Sequence, residues 1–200
     1  MKMSLILTLF LYCCGCSFTQ SNEKNISSSN TTSPNSLETF KFENFMIAKG
    51  QIGQIKVGLT ISEADRLIKG LRKAVGEADE FGFGGGGTAY LYYFKEELIF
   101  SLIPKLDTDS ILFIVAAHKN LKTINNLSAK SSVAELQKIY PELKFELDLM
   151  NGWEIFTDNS NNWEFTFTTQ DENRIGKYPE PDLPSKPFQM STKSNWITLR

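Results

Sequence analysis

Reactive side chains are scarce in these 200 residues, and three of them crowd one end. Cys13, Cys14 and Cys16 are the only thiols, and Gly15 separates the last two. His118 is the only histidine, which leaves zinc coordination and His-based catalysis very little to work with. No serine sits in a nucleophile-elbow motif. The run Gly82-Phe83-Gly84-Gly85-Gly86-Gly87-Thr88 suggests a phosphate cradle, but no lysine precedes Thr88 and a strand pattern follows where a helix would be needed. It reads as a flexible connection, with contact to a partner as the second reading. Glu77, Asp79 and Glu80 lack the spacing of a calcium loop and read as a solvated acidic turn. No catalytic residue, metal site or cofactor is expected from this inventory, and the chain reads as a non-enzyme.

Aromatic residues are the surplus, at 12% of the chain. Tyr90, Tyr92 and Phe94 share one face of a strand pattern and Tyr93 takes the other. Trp153 and Phe156 divide similarly. Aromatic side chains on an open sheet face anchor protein interfaces. Packed under helices, the same residues would be core. Tyr90, Tyr92, Trp153 and Phe156 are the candidate protein-binding residues.

The elements that would position these groups begin with a targeting segment. Lys2 precedes an apolar stretch over 5–12, too short for a bilayer core that needs roughly 20 residues. Cys13-Cys14-Gly15-Cys16 follows, and the whole resembles a bacterial lipoprotein signal. The resemblance implies cleavage between Gly15 and Cys16 and diacylglyceryl transfer to the Cys16 thiol. Cys13 and Cys14 depart from the Leu and Ala or Ser usual there. Each buried CH₂ adds about 0.8 kcal/mol, so two or three acyl chains hold a protein stably on a membrane. Ser17, in place of Asp, resembles the outer-membrane address of enteric lipoproteins. The implied location is the bacterial envelope, facing the periplasm or the cell surface.

Residues 17–39 hold 16 Ser, Thr, Asn or Gln in 23 positions. Such a segment cannot bury enough surface to offset its ordering entropy. With Cys16 it forms a disordered tether. Its matches to glycosylation sequons at Asn25 and Asn30 read as chance. The net charge of −2 offers no basic excess for nucleic acid.

Order begins near Phe40. Thr60 and Glu63 form a capping-box pattern, and Ile61, Ala64, Leu67, Ile68 and Leu71 follow at helical spacing. The spacing predicts a helix over 61–75, stopped by Gly76. The arrangement recurs 72 residues later: Ser132 and Glu135 form a second box, and Val133, Leu136, Ile139 and Tyr140 repeat the apolar face. Strands are predicted over 88–94, 98–103 and 110–117 after the first helix. After the second they fall at 153–157, 163–169 and 195–199. A proline-bearing loop over 175–194 interrupts the second set. Trp163, Phe165 and Phe167 should face the helices, with Glu164, Thr166 and Thr168 toward solvent. The expected fold is α+β: two tandem helix-plus-antiparallel-strand repeats, 40–120 and 121–200, sharing one open antiparallel sheet with helices on one face.

The run Ile55-Lys56-Val57-Gly58-Leu59-Thr60-Ile61-Ser62-Glu63-Ala64 resembles the opening of the superfamily of β-lactamase-inhibitor-protein-like repeats and SmpA/OmlA small outer-membrane lipoproteins. Ala129-Lys130-Ser131-Ser132 departs from it in the second copy. The resemblance implies a tandem fold whose sheet face contacts another protein. The expected function is a non-enzymatic envelope lipoprotein that binds an envelope protein as inhibitor, scaffold or assembly module. Binding of a small apolar or lipid ligand is the alternative. Replacing Cys16 with Ser should abolish radiolabelled palmitate incorporation; label that persists would remove the anchor assignment.

Overall fold

The computed structural model describes residues 40–200, so Gly15, Cys16 and the 17–39 tether lie outside the described residues. Phe40 is buried against Phe42, Phe45 and Phe94, at ring distances of 4.8, 4.9 and 5.5 Å. A 3₁₀ turn over Phe42–Asn44 leads to three two-residue strands, β1 (Ile47–Ala48), β2 (Gln51–Ile52) and β3 (Ile55–Lys56). These form a small antiparallel sheet whose Ile47, Ile52 and Ile55 enter the main core.

Helix α1 spans Ile61–Leu67, and Thr60 caps it with a complete capping box. The expected helix to residue 75 is therefore too long. Ile68 is already extended and ends the helix eight residues ahead of Gly76, and Gly70, with a left-handed φ of 72°, turns the chain onward. The freed residues form strand β4 (Arg72–Glu77), with Val75 exposed. Then come β5 (Thr88–Phe94), β6 (Glu97–Pro104) and β7 (Ile111–Ala116). Helix α2 (Val133–Ile139) carries its own capping box on Ser132. It is followed by β8 (Glu146–Asp148), β9 (Trp153–Asp158), β10 (Trp163–Phe167) and β11 (Trp196–Leu199).

Eight strands make one antiparallel sheet in the order β4-β5-β6-β7-β11-β10-β9-β8. Ile197 pairs with Ala116 and Leu199 with Ile114 at the central junction. Both helices bury their apolar residues on the same side, where Ile61, Ala64, Val133 and Leu136 join Phe100, Ile114, Phe165 and Ile197 in one cluster. The protein is thus α+β around an antiparallel sheet.

Each helix is tied to the strand that ends its half. The first N–H groups of a helix have no partner inside it. Ile61 N–H donates to the Asp109 carbonyl, and Val133 N–H to the Thr192 carbonyl, both at 2.9 Å. Thr60 bridges Ser110, and Ser132 bridges Lys193, just ahead of β7 and β11. The box carboxylates accept from the cap residues' N–H and O–H groups, which holds Glu63 and Glu135 below the usual carboxylate range.

Thr60→Ala should lower unfolding free energy by about 1 kcal/mol in urea titration. Both carboxylates titrate lower folded than unfolded. Their capping contribution is complete above the unfolded value, about 4.3, and lost as pH falls through the lowered folded value. The Thr60→Ala deficit should therefore shrink in acid; a deficit constant from pH 7 to pH 3 would count against the box.

Candidate protein-binding face

Paired strand residues share a face, so the register sorts the aromatic residues. Tyr90 and Tyr92 stand opposite Leu102 and Phe100, on the helix-covered side. Tyr92 is 1% exposed, and its hydroxyl donates to Asp65 of α1 at 2.7 Å. Burial, and then the Asp65 acceptor, push that hydroxyl well above the ordinary phenol range. Lys73 completes the group, 2.6 Å from Asp65 and 4.3 Å over the Tyr90 ring. Phe156 is buried on this side against Tyr140 and Phe165. Three of the four candidate anchors therefore belong to the helix-side core.

Trp153 alone of the four lies on the far face. There it joins Leu91 and Tyr93 of β5, Ile103 of β6, Phe113 and Val115 of β7, and Trp196 of β11 in a second apolar cluster. The connection from β4 to β5 covers this cluster. It begins as a 3₁₀ turn over Ala78–Phe81 and continues through the glycines. It crosses from the β4 edge as far as β9. Phe81 meets Trp196 edge-on at 5.7 Å, and Phe83 stacks on Phe113 at 4.4 Å. Between them Gly82 has φ 85°, and a Cβ there would lie 2.8 Å from the Trp153 ring. Both the backbone and the close approach demand glycine. The glycine run is thus a strap laid over the sheet.

Thr166 is 2% exposed, not solvated as expected, because its far-face neighbours are Trp196 and Ile155. Glu164 is half-buried beside Arg200. Burial raises its pKa against the opposing pull of that guanidinium. Two buried polar atoms on the far face, Ser101 Oγ and Trp196 Nε1, have no hydrogen-bond partner among the described residues.

A groove of about 520 Å³ opens where the strap meets the sheet end, between Phe81, Leu98, Trp196, His118 and Lys130. His118 is buried under Phe42, whose ring stacks on it at 4.7 Å. Its Nδ1 accepts from Asn120 N–H, so the imidazole proton sits on Nε2, 2.7 Å from Glu97. That hydrogen bond holds Glu97 below the usual carboxylate range. The histidine thus joins the N-terminal segment to the start of β6. Burial also lowers the pKa of Lys130, which donates to the Asn195 carbonyl. Glu77, Asp79 and Glu80 are exposed at the strap's entry. Among the described residues no three of His, Cys, Asp and Glu cluster closely enough to hold a metal ion.

No local pattern marks Glu154, which is fully buried on the helix-side face. Its carboxylate accepts from Thr169 Oγ1 at 2.6 Å, Ile175 N and Gly176 N at 2.7 Å, and Tyr178 Oη at 2.8 Å. It thereby fastens the proline-bearing loop over the second half of the sheet.

No family model and no curated protein matches the chain. Among solved structures it is similar to the crystal structure of the uncharacterized protein yfeY from Escherichia coli. Identity is 12% and the TM-score 0.52, over 78% of this chain and 99% of that one. At that identity the likeness is one of fold alone.

Gly82→Ala should cost about 1–2 kcal/mol, from the strained backbone and the displaced Trp153 ring. Urea unfolding followed by tryptophan emission reads this; an unchanged midpoint would mean that the strap does not pack as described.

Proposed function

We propose that the chain is a lipid-anchored protein of the bacterial envelope that binds another envelope protein and carries no catalytic centre. The observation that carries this reading is the far face of the sheet. It carries an apolar, aromatic cluster, and the largest cover on that cluster is a single glycine-rich strap rather than a helix. Trp153, Phe113 and Tyr93 remain half-buried there. Monomeric surfaces rarely expose contiguous apolar patches without an interaction to explain them. The acylated Cys16 and the tether would hold this face off the membrane, at the outer membrane on the periplasmic or outer side.

The sheet reads as two tandem repeats, residues 40–120 and 121–200. Three observations support this. Strand order is symmetric about the β7–β11 junction. Both helices start with the same complete capping box. The cap-to-strand ties are equivalent: Ser132 follows Thr60 by 72 residues, and its partner Lys193 follows Ser110 by 83, the excess falling in the proline-bearing loop.

A photo-crosslinker at Thr157, half-buried on the far face, should trap a discrete protein species in membranes. The same group at exposed Lys138 on α2 should not. No discrete species from Thr157, or equal yields at both sites, would remove the reading.

A further inference from the structure

We infer that the strap is an internal stand-in for the partner, and that the partner offers a turned segment in which two aromatic residues flank a left-handed glycine. This rests on the protein-binding reading above and specifies its surface.

The strap itself shows what the far face accepts. Phe81 and Phe83 sit on Trp196 and Phe113, at 5.7 and 4.4 Å, one edge-on and one stacked. The Trp153 ring leaves no room for a Cβ on the residue between them. An aromatic–glycine–aromatic turn therefore fits this face, and a segment with a side chain at its centre does not.

The strap fills the face incompletely. Ser101 Oγ and Trp196 Nε1 stay buried there, unpaired among the described residues. On the helix side, by contrast, the fully buried Glu154 receives four donor groups. An incoming backbone brings carbonyl and N–H groups that such atoms can pair with, which the strap does not do. The strap's return limb bonds back to its own start, Ala78 N–H to the Gly87 carbonyl at 2.9 Å and Gly86 N–H to the Phe83 carbonyl at 3.2 Å, and so adds little hold on the sheet. Among the described residues, a Cβ on Gly85 or Gly86 would have no atom within 4 Å. Individual aromatic pairs are modest in strength, so a strap held mainly by Phe81 and Phe83 can be displaced by a matching segment.

The test uses the full chain in detergent and the peptide acetyl-Glu-Phe-Gly-Phe-Gly-amide, which copies residues 80–84. Tryptophan emission is titrated with the peptide and with its Ser-Gly-Ser counterpart. The wild-type chain should bind the aromatic peptide weakly and the serine peptide not at all. Phe83→Ala weakens the internal competitor and should bind the aromatic peptide at least about tenfold more tightly. Phe113→Ala removes the receiving ring and should lose binding. Cooperative urea unfolding is checked for each variant. Phe83→Leu replaces Phe83→Ala if the latter does not fold, and the comparison of Phe83 variants with wild type then decides alone. No saturable change in the Phe83 variant, or equal affinity in variant and wild type, overturns the proposal. If the Thr157 crosslink still forms in that case, the protein-binding reading survives and only the strap's role is lost.

Discussion

The antiparallel pairing of β7 with β11 is the constraint on which the rest of the sheet depends. Only three residue pairs make it: Ile197 with Ala116, Thr198 with Val115, and Leu199 with Ile114. Side chains alternate between faces, so a slip of one residue would invert β11. Ile197 and Leu199, now in the helix-side core, would turn to the far face. Trp196 would leave Phe81 and Trp153. One register therefore fixes both apolar clusters. The cap residues reinforce it, because Thr60 and Ser132 bridge the residues just ahead of β7 and β11. Helix start and central strand are placed by the same few backbone bonds.

With the register fixed, the two long connections have different tasks. The proline-bearing loop lies on the helix side, where Glu154 receives its backbone N–H groups. A fully buried carboxylate is costly to desolvate unless it is well supplied with donors, and here two amides and two hydroxyls supply them. The β4–β5 strap lies on the opposite side and uses rings in place of charges. The helix-side cover is thus directional and polar at its anchor, while the far-face cover is apolar and lacks such a bond. Hydrogen bonds to a buried anion fix one geometry; ring contacts tolerate several. This contrast, more than exposure alone, distinguishes the far face as the adaptable one.

Much of the fold was legible because capping boxes and period-2 alternation are local signals. Thr60 and Ser132 begin helices as their spacing predicts, and β5, β6, β7, β9 and β10 fall close to the expected ranges. Leu71 and Val75 continue a helical spacing on paper, whereas the chain is already extended at Ile68 and the left-handed Gly70 then turns it into β4. Strands β4 and β8 went unread for a related reason. As sheet edges they carry charges, Arg72 and Lys73 in one and Glu146 and Asp148 in the other, which discourage further pairing and mask the apolar alternation.

The candidate site was less legible, because a face is a property of the sheet rather than of any segment. Tyr90, Tyr92 and Phe156 have the composition of an interface, yet α1, α2 and the main core cover them. Trp153 has the same composition and stands opposite. Nothing within β9 separates Trp153 from Phe156 except parity, and parity acquires meaning only once the helices choose a side. The glycine run was likewise visible as a run but not as a strap. Its role follows from Trp153, which lies 71 residues beyond Gly82 in the chain and touches the site of its missing Cβ. Five glycines out of six positions describe a connection that can go anywhere. The two phenylalanines among and beside them determine where it goes, because Trp196 and Phe113 are the far-face rings that receive them. The chemistry of this surface is therefore written in pairs of residues that are distant in the chain, and a local reading recovers each member without the pairing.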